Sequence, residues 1–232
     1  MKPGKSTRRR RSVDPVDDSL APPPKRGKGR QKVPPVKMRI IGGDMGGRTV
    51  MYHGDRFTRP MRDSVRENLF NILGKAPKGA IAIDLFSGTG ALAFEALSRG
   101  ASTAYAIDQS QKATRFLTQT AHELGVENRL HVMTGDAFRL GSTLLAPPAN
   151  DTPWLLFVCP PYKMWDDPKT LGRLNAMIQL AQVNAPPGSV IVAETEIAFD
   201  SERLVGGPWD IRHYGRTRLA FCEPASQCGM VP

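Results

Sequence analysis

From residue 38 onward, hydrophobic and polar positions follow two alternating rhythms. "MRDSVRENLFNILG" carries Val65, Leu69, Ile72 and Leu73 at helical spacing and stops at Gly74, which predicts an amphipathic helix closed by glycine. "AIAIDLF" is a short apolar run that reads as a buried strand, and "STAYAID", "RLHVMTG", "WLLFV" and "SVIVAETE" read as further strands. Between them lie the helical segments "TGALAFEALSRG", "QKATRFLTQTAHELG", "DAFRLGSTLL" and "PKTLGRLNAMIQLAQ", the last with Pro168 where a first helical turn accepts it. Upstream, "KMRIIGG" and "GRTVMY" form short strands around a glycine-rich turn, and "WDIRHYGRTRLAFCE" reads as a hairpin turning at Gly215. Strands alternating with helices predict an α/β fold with a mostly parallel sheet covered on both faces. The terminal hairpin adds one antiparallel strand. No internal repeat is present.

Charge changes this picture at one end only. The chain of 232 residues has 32 Lys and Arg against 22 Asp and Glu. Residues 1–37 hold 12 basic and 3 acidic residues, a net of +9, so nearly the whole excess of +10 lies there. That stretch, with "KSTRRRRS" and "APPPKRGKGR", has no apolar periodicity and is broken by Pro and Gly, so it reads as a disordered basic tail preceding a domain over 38–232. Such an arm binds a polyanion by releasing counterions, and RNA is the expected partner; the bland alternative is a solubilising extension. No apolar run reaches the length of a membrane span, and no apolar stretch follows the arginines as in a secretory signal. The three cysteines and four scattered histidines offer no metal-ligand spacing; free thiols in a reducing cytoplasm are the default, with a local Cys222–Cys228 disulfide as the alternative.

Candidate chemistry begins in "DLFSGTGALAFEALSRG", a strand-loop-helix segment. Gly88 and Gly90 permit a tight turn and a close backbone approach to a ligand at a helix N-terminus. Asp108, twenty residues beyond Gly88 at the end of the next strand, suits a ribose diol. Gly88-x-Gly90-x-x-Ala93 also satisfies a dinucleotide fingerprint, so an NAD-dependent oxidoreductase has to be weighed. Asp84 speaks against it: a carboxylate just before the loop repels a pyrophosphate and attracts an ammonium group. "FVCPPY" speaks against it too, since hydride transfer has no use for such a strand tip. A nucleoside carrying a zwitterionic amino acid, S-adenosylmethionine, fits both. Asp136 in "TGDA" could accept from an adenine amino group, or serve as the N-cap of the helix starting at Ala137, or do both.

The order "DLFSGTGALAFEALSRGA", "AIDQS", "GDA" and "PPY" resembles the class I S-adenosylmethionine-dependent methyltransferases. More specifically, "RIIGG...GR", "TRPMRDSVRENLFNIL" and "YGRTRLAF" are similar to the bacterial small-subunit ribosomal RNA guanine-N2 methyltransferases, over about residues 38–222. The resemblance implies a Rossmann-like, seven-stranded sheet. It also implies that Asp84, Gly88 and Gly90 hold the methionine part, Asp108 the ribose and Asp136 the adenine, with Phe86 and Ala137 against the cofactor. In such enzymes an Asp, Asn or Ser, then Pro-Pro, then Tyr or Phe presents the target amine: the first side chain and the next carbonyl accept from it, and the ring stacks on the extruded base. Here Pro160, Pro161 and Tyr162 keep that pattern, but Cys159 stands where a strong acceptor is expected.

Three readings of Cys159 follow. The Pro160 carbonyl suffices with slower transfer; the thiolate serves as acceptor, or as the nucleophile of a pyrimidine C5 enzyme; or catalysis is lost while binding remains. The expected activity is methylation of a guanine N2 in small-subunit ribosomal RNA, naked or in an assembling subunit, by a monomer without a metal. Adenine-N6 methylation and a noncatalytic RNA-binding or ribosome-assembly role are the alternatives. Arg59, Arg62 and Arg66 read either as a solvated face paired with Asp63 and Glu67 or, as the resemblance implies, as contacts to RNA phosphates; Arg39, Arg48 and Arg56 would extend that patch.

Overall fold

The computed structural model describes residues 36–52 and 60–224, all within one unit spanning 33–232. Strands β1 (Val36–Arg39) and β2 (Thr49–Tyr52) pair antiparallel as a separate hairpin. Helix α1 (Asp63–Leu73) follows, and then the alternation expected from the sequence: β3 (Ile81–Asp84), α2 (Ala91–Ser98), β4 (Thr103–Asp108), α3 (Gln111–Leu124), β5 (Leu130–Thr134) and α4 (Ala137–Leu144). After these come β6 (Trp154–Val158), the single turn α5 (Lys163–Asp166), α6 (Pro168–Asn184), β7 (Val190–Glu196), β8 (Asp210–Tyr214) and β9 (Thr217–Cys222). The main sheet has seven strands in the order β5-β4-β3-β6-β7-β9-β8. β3 to β7 pair in parallel, and β9 inserts antiparallel between β7 and β8. This is the Rossmann-like α/β architecture that the sequence predicts.

Period-2 alternation along the buried strands sends side chains to two cores. On one face Ala82, Ala106, Phe157, Val192 and Leu219 pack under α1, α2 and α3. On the other, Ile83, Ile107, Val158, Ala193 and Ala220 pack under α4, α5 and α6. Helix starts follow their capping residues: the side chains of Ser110, Asp136 and Asp167 accept from backbone N–H groups in the first turns of α3, α4 and α6.

One predicted stripe needs correction. Val65, Leu69 and Leu73 of α1 are buried as expected, but Ile72 is exposed, and Phe70 takes its place against Phe157 with ring centroids 5.9 Å apart. The stripe is therefore turned toward Phe70, which packs on the Phe157 ring.

The segment between β1 and β2 is clamped to α2. Glu95, wholly buried, accepts from the N–H groups of Ile41 (2.8 Å) and Gly42 (2.9 Å) and pairs with Arg99 at 2.9 Å and Arg66 at 3.7 Å. The hairpin and α1 are thus tied to the sheet by one buried carboxylate. No helix among the described residues is long and apolar enough to cross a membrane.

Candidate active site at the carboxyl ends of the parallel strands

The parallel strands all end at one edge of the sheet, where ligands bind in open α/β folds. β3 ends at Asp84 and β4 at Asp108; β5 is followed by Asp136, and β6 by Cys159-Pro160-Pro161-Tyr162. All of these line one cavity of about 880 Å³, together with Met61 and Arg62 before α1, Glu194 of β7 and Thr217 of β9.

Asp84 is 1% exposed, and its Oδ1 has no hydrogen-bond partner among the described residues. Burial, reinforced by the charge of Asp108, lifts its carboxyl from the ordinary 3.8 to about 7, although the Phe86 N–H works the other way. A buried oxygen without a donor is costly, and a cationic donor in the cavity would satisfy it.

The glycine loop above it is braced from the neighbouring strand. The Gly88 N–H donates to Asp108 Oδ2 at 2.9 Å, and the Ser110 N–H to Oδ1 at 2.7 Å. Gly88 and Gly90 have φ of 52° and 77°, the left-handed region open to glycine. A Cβ on Gly90 would lie 2.3 Å from Leu117 Cδ2, so the loop can press against α3 only without one.

Asp136 caps α4 by accepting from the Phe138 N–H at 2.8 Å and also meets the Arg173 guanidinium at 3.2 Å. Its small burial opposes ionisation, but these two partners hold its carboxyl below the usual carboxylate range. Arg173 lies over the Phe138 ring at 3.8 Å, and Phe138 meets Phe86 edge to face at 6.0 Å. Planar groups and an acceptor thus meet at this end of the cavity, a combination suited to a purine.

The target loop is pinned to β7. The Tyr162 hydroxyl donates to Glu194 Oε1 at 2.8 Å and lies 3.2 Å from Thr217 Oγ1, while Trp165 Nε1 donates to the Glu194 carbonyl at 2.8 Å. Burial, then the nearby Glu194 charge, pushes the Tyr162 phenol up to about 12, so it stays a neutral donor. Burial, followed by the charges of Glu194 and Asp84, pushes the Cys159 thiol well up. Burial and the neighbouring carboxylates thus favour the neutral thiol, which speaks against both thiolate readings. Burial also raises the Glu194 carboxyl, against the bond from Tyr162.

A family model described as Conserved hypothetical protein 95 matches residues 38–223. The chain is 35% identical to the Bacillus subtilis protein named "Putative rRNA methyltransferase YlbH", over 79% of this chain and 97% of that one. It is 32% identical to Ribosomal RNA small subunit methyltransferase D of Escherichia coli, over 69% of this chain and 76% of that one. The chain belongs to the family of small-subunit ribosomal RNA methyltransferases. A solved Escherichia coli structure titled "Putative methyltransferase yhhF" superposes with a TM-score of 0.63 at 27% identity, covering 83% of this chain and all of that one.

Within this methyltransferase family fold, every proposed cofactor and target-loop residue except Gly90 lines the cavity, and Gly90 shapes its loop. The arginines do not stay together. Arg62 lines the cavity, with its Nη2 3.8 Å from where a Gly215 Cβ would stand. Arg39 is 69% exposed and pairs with Asp63 at the start of α1. Arg48 donates to the carbonyls of Glu123 and Leu124 at the end of α3, and that helix runs from the cavity edge to the opposite edge. Arg66 is 1% exposed, donating to the Arg39 and Met61 carbonyls and pairing with Asp63 and Glu95. The expected phosphate contact of Arg66 is thereby corrected: Arg62 stands just before α1 and faces the cavity, whereas Arg66, inside the helix, turns under the hairpin, where Glu95 needs a cation. Arg56, Arg59 and most of the basic tail lie outside the described residues, as does Cys228; Cys222 is buried with a free thiol.

Sequence reading missed Glu194, Phe138 and Arg173. Phe138 and Arg173 carry no local signal. Glu194 had one: a charge inside the otherwise apolar run "SVIVAETE", level with Cys159 of the target loop.

Proposed function

We propose that the chain transfers the methyl group of S-adenosylmethionine to the N2 amine of a guanine in small-subunit ribosomal RNA. The buried, unpartnered Asp84 Oδ1 in the same cavity as the Cys159–Tyr162 loop carries the reading, because it demands an ammonium where the cofactor's methionine part belongs. The residues fit the cofactor: Asp84 for the ammonium, the Gly88 loop for the carboxylate end, Asp108 for the ribose, and Asp136 with Phe86 and Phe138 for the adenine. When bound, the cofactor supplies an electrophilic methyl on a sulfonium. Relatives named as small-subunit ribosomal RNA methyltransferases support RNA as the acceptor.

The chain's own work is to hold an amine still. Pro160 is buried and fixes the direction of its carbonyl, which accepts one N–H of the target amine. Tyr162, tethered through its hydroxyl, offers its ring to a base drawn out of the RNA. Arg62 and the exposed Arg216 place cations at the same cavity, where phosphates flanking the extruded nucleotide would arrive.

The test is transfer of tritiated methyl to undermethylated small subunits and to naked small-subunit RNA, followed by nucleoside analysis. Label in N2-methylguanosine is expected. Label in N6-methyladenosine would reassign the base, and no label with intact cofactor binding would leave an RNA-binding protein on a methyltransferase fold.

A further inference from the structure

Cys159 removes the side-chain acceptor from the tip of β6, yet the cavity holds another one nearby. β6 and β7 pair in parallel from Leu155↔Val190 to Val158↔Ala193, so the next step along both strands sets Cys159 level with Glu194. Phe157 and Val192 belong to the α1 side of the sheet, and two residues further on Cys159 and Glu194 return to that side. Neighbouring strands run about 4.8 Å apart, so the carboxylate stands one strand away from the missing acceptor. Glu194 lines the cavity and is linked to the base-stacking residue by the 2.8 Å bond from Tyr162.

Building on the methyltransferase reading, we infer that Glu194 is the catalytic acceptor of this enzyme: its carboxylate receives a hydrogen bond from the target amine and then its proton. The lone pair of the amine nitrogen forms the new N–C bond as the C–S bond breaks with its electron pair going to sulfur. The nitrogen then carries a positive charge, which it loses by passing one proton to Glu194; solvent recovers that proton after release. Among the described residues the carboxylate accepts one side-chain hydrogen bond, from Tyr162, which leaves lone pairs for the amine. Burial favours the protonated acid, which makes the carboxylate a better base than an exposed one.

The other carboxylates lining the cavity are committed elsewhere. Asp108 braces Gly88 and Ser110, Asp136 caps α4, and Glu196 pairs with Arg216 at 2.7 Å. Asp84 is the group whose open oxygen suits the cofactor ammonium.

The test compares single-turnover methyl transfer by the full chain and its Glu194→Gln, Cys159→Asn and doubly substituted variants. Cofactor affinity is measured by calorimetry and RNA affinity by filter binding. Glu194→Gln is expected to slow transfer about 100-fold with both affinities kept within about twofold, and Cys159→Asn in that background to restore at least about tenfold. The restoration separates an acceptor from a scaffold, because an amide on β6 cannot repair a misplaced Tyr162. Transfer by Glu194→Gln within about threefold of the parent, or a slow variant that Cys159→Asn does not rescue, would overturn the assignment and leave the methyltransferase reading intact. A parent enzyme that labels no RNA would overturn both.

Discussion

Replacing Asp84 with Asn should strengthen the protein and disable it at once. An acid held at about 7 when folded and 3.8 when unfolded keeps its proton in the native state across that interval while the unfolded chain has lost it. The unfolded state then binds fewer protons, so stability falls as pH rises from about 4 to about 7. Fully developed, above about pH 8, the loss is about 4 kcal/mol. An amide of the same shape never ionises, but it buries an N–H pair in place of the unpartnered oxygen, at a cost of about 1–3 kcal/mol. The net gain at pH 8 is about 2 kcal/mol, or roughly 4–8 °C in Tm for a chain of this size. At pH 5 the ionisation cost shrinks to about 1.5 kcal/mol, the amide offsets it, and the two proteins should melt together. Thermal unfolding of both, at pH 5 and pH 8 without cofactor, reads this directly. Calorimetry at pH 8 should show the variant at least about 100-fold weaker for S-adenosylmethionine, since the ammonium loses its counter-charge. If Asp84→Asn melts no higher than the parent at pH 8, Asp84 is not a strained ionised acid and its selection for the cofactor is wrong.

Three further outcomes follow from the same geometry. Cofactor binding should release about three-quarters of a proton near pH 6.5 and none above about pH 8, because the ammonium pulls Asp84 from about 7 back into the carboxylate range; calorimetry in buffers of different ionisation enthalpy measures it, and affinity should rise with pH up to about 7 and fall once the ligand amine loses its own proton above about 8. Arg62→Ala should weaken RNA binding and flatten its salt dependence by about one unit of slope, while Arg48→Ala leaves that slope unchanged. Arg66→Ala should cost about 2–4 kcal/mol in chemical unfolding, because it removes one of the two cations on the buried Glu95 together with the donor to the Arg39 carbonyl of the hairpin.

Much of the fold was legible because each element states its own period. The buried strands, the helix between each pair and the hairpin at Gly215 all follow from local pattern, down to the antiparallel insertion of β9. Asp84, Asp108 and Asp136 were legible for a related reason: loops at the carboxyl ends of parallel strands share one edge, so sequence order alone brings them together. The arginine face was not legible, because which side of α1 meets water depends on a hairpin that crosses it, and only tertiary structure shows Glu95 waiting beneath Arg66. Arg173 was silent for a similar reason, as its partners Asp136 and Phe138 lie more than thirty residues away.

An acceptor lost from the tip of β6 has few places from which it can be replaced. The target amine must lie near the Pro160 carbonyl and against Tyr162, so a substitute has to reach the same side of the sheet at the same level. Strand spacing and alternation allow two such positions, on the adjacent strands β3 and β7. On β3 the residue level with Cys159 is Phe86, which has no acceptor, and the nearest acid, Asp84, lies two residues back, level with Phe157, and its charge is required by the cofactor. On the α1 side the approaching group is Arg62, a donor without acceptor capacity, and β9 offers the hydroxyl of Thr217, already shared with Tyr162. That leaves β7, where a glutamate interrupts an apolar strand and burial makes it basic. A carboxylate kept in a half-buried place, one strand from a thiol whose ionisation burial opposes, has a use if something arriving in the cavity carries a proton to be taken.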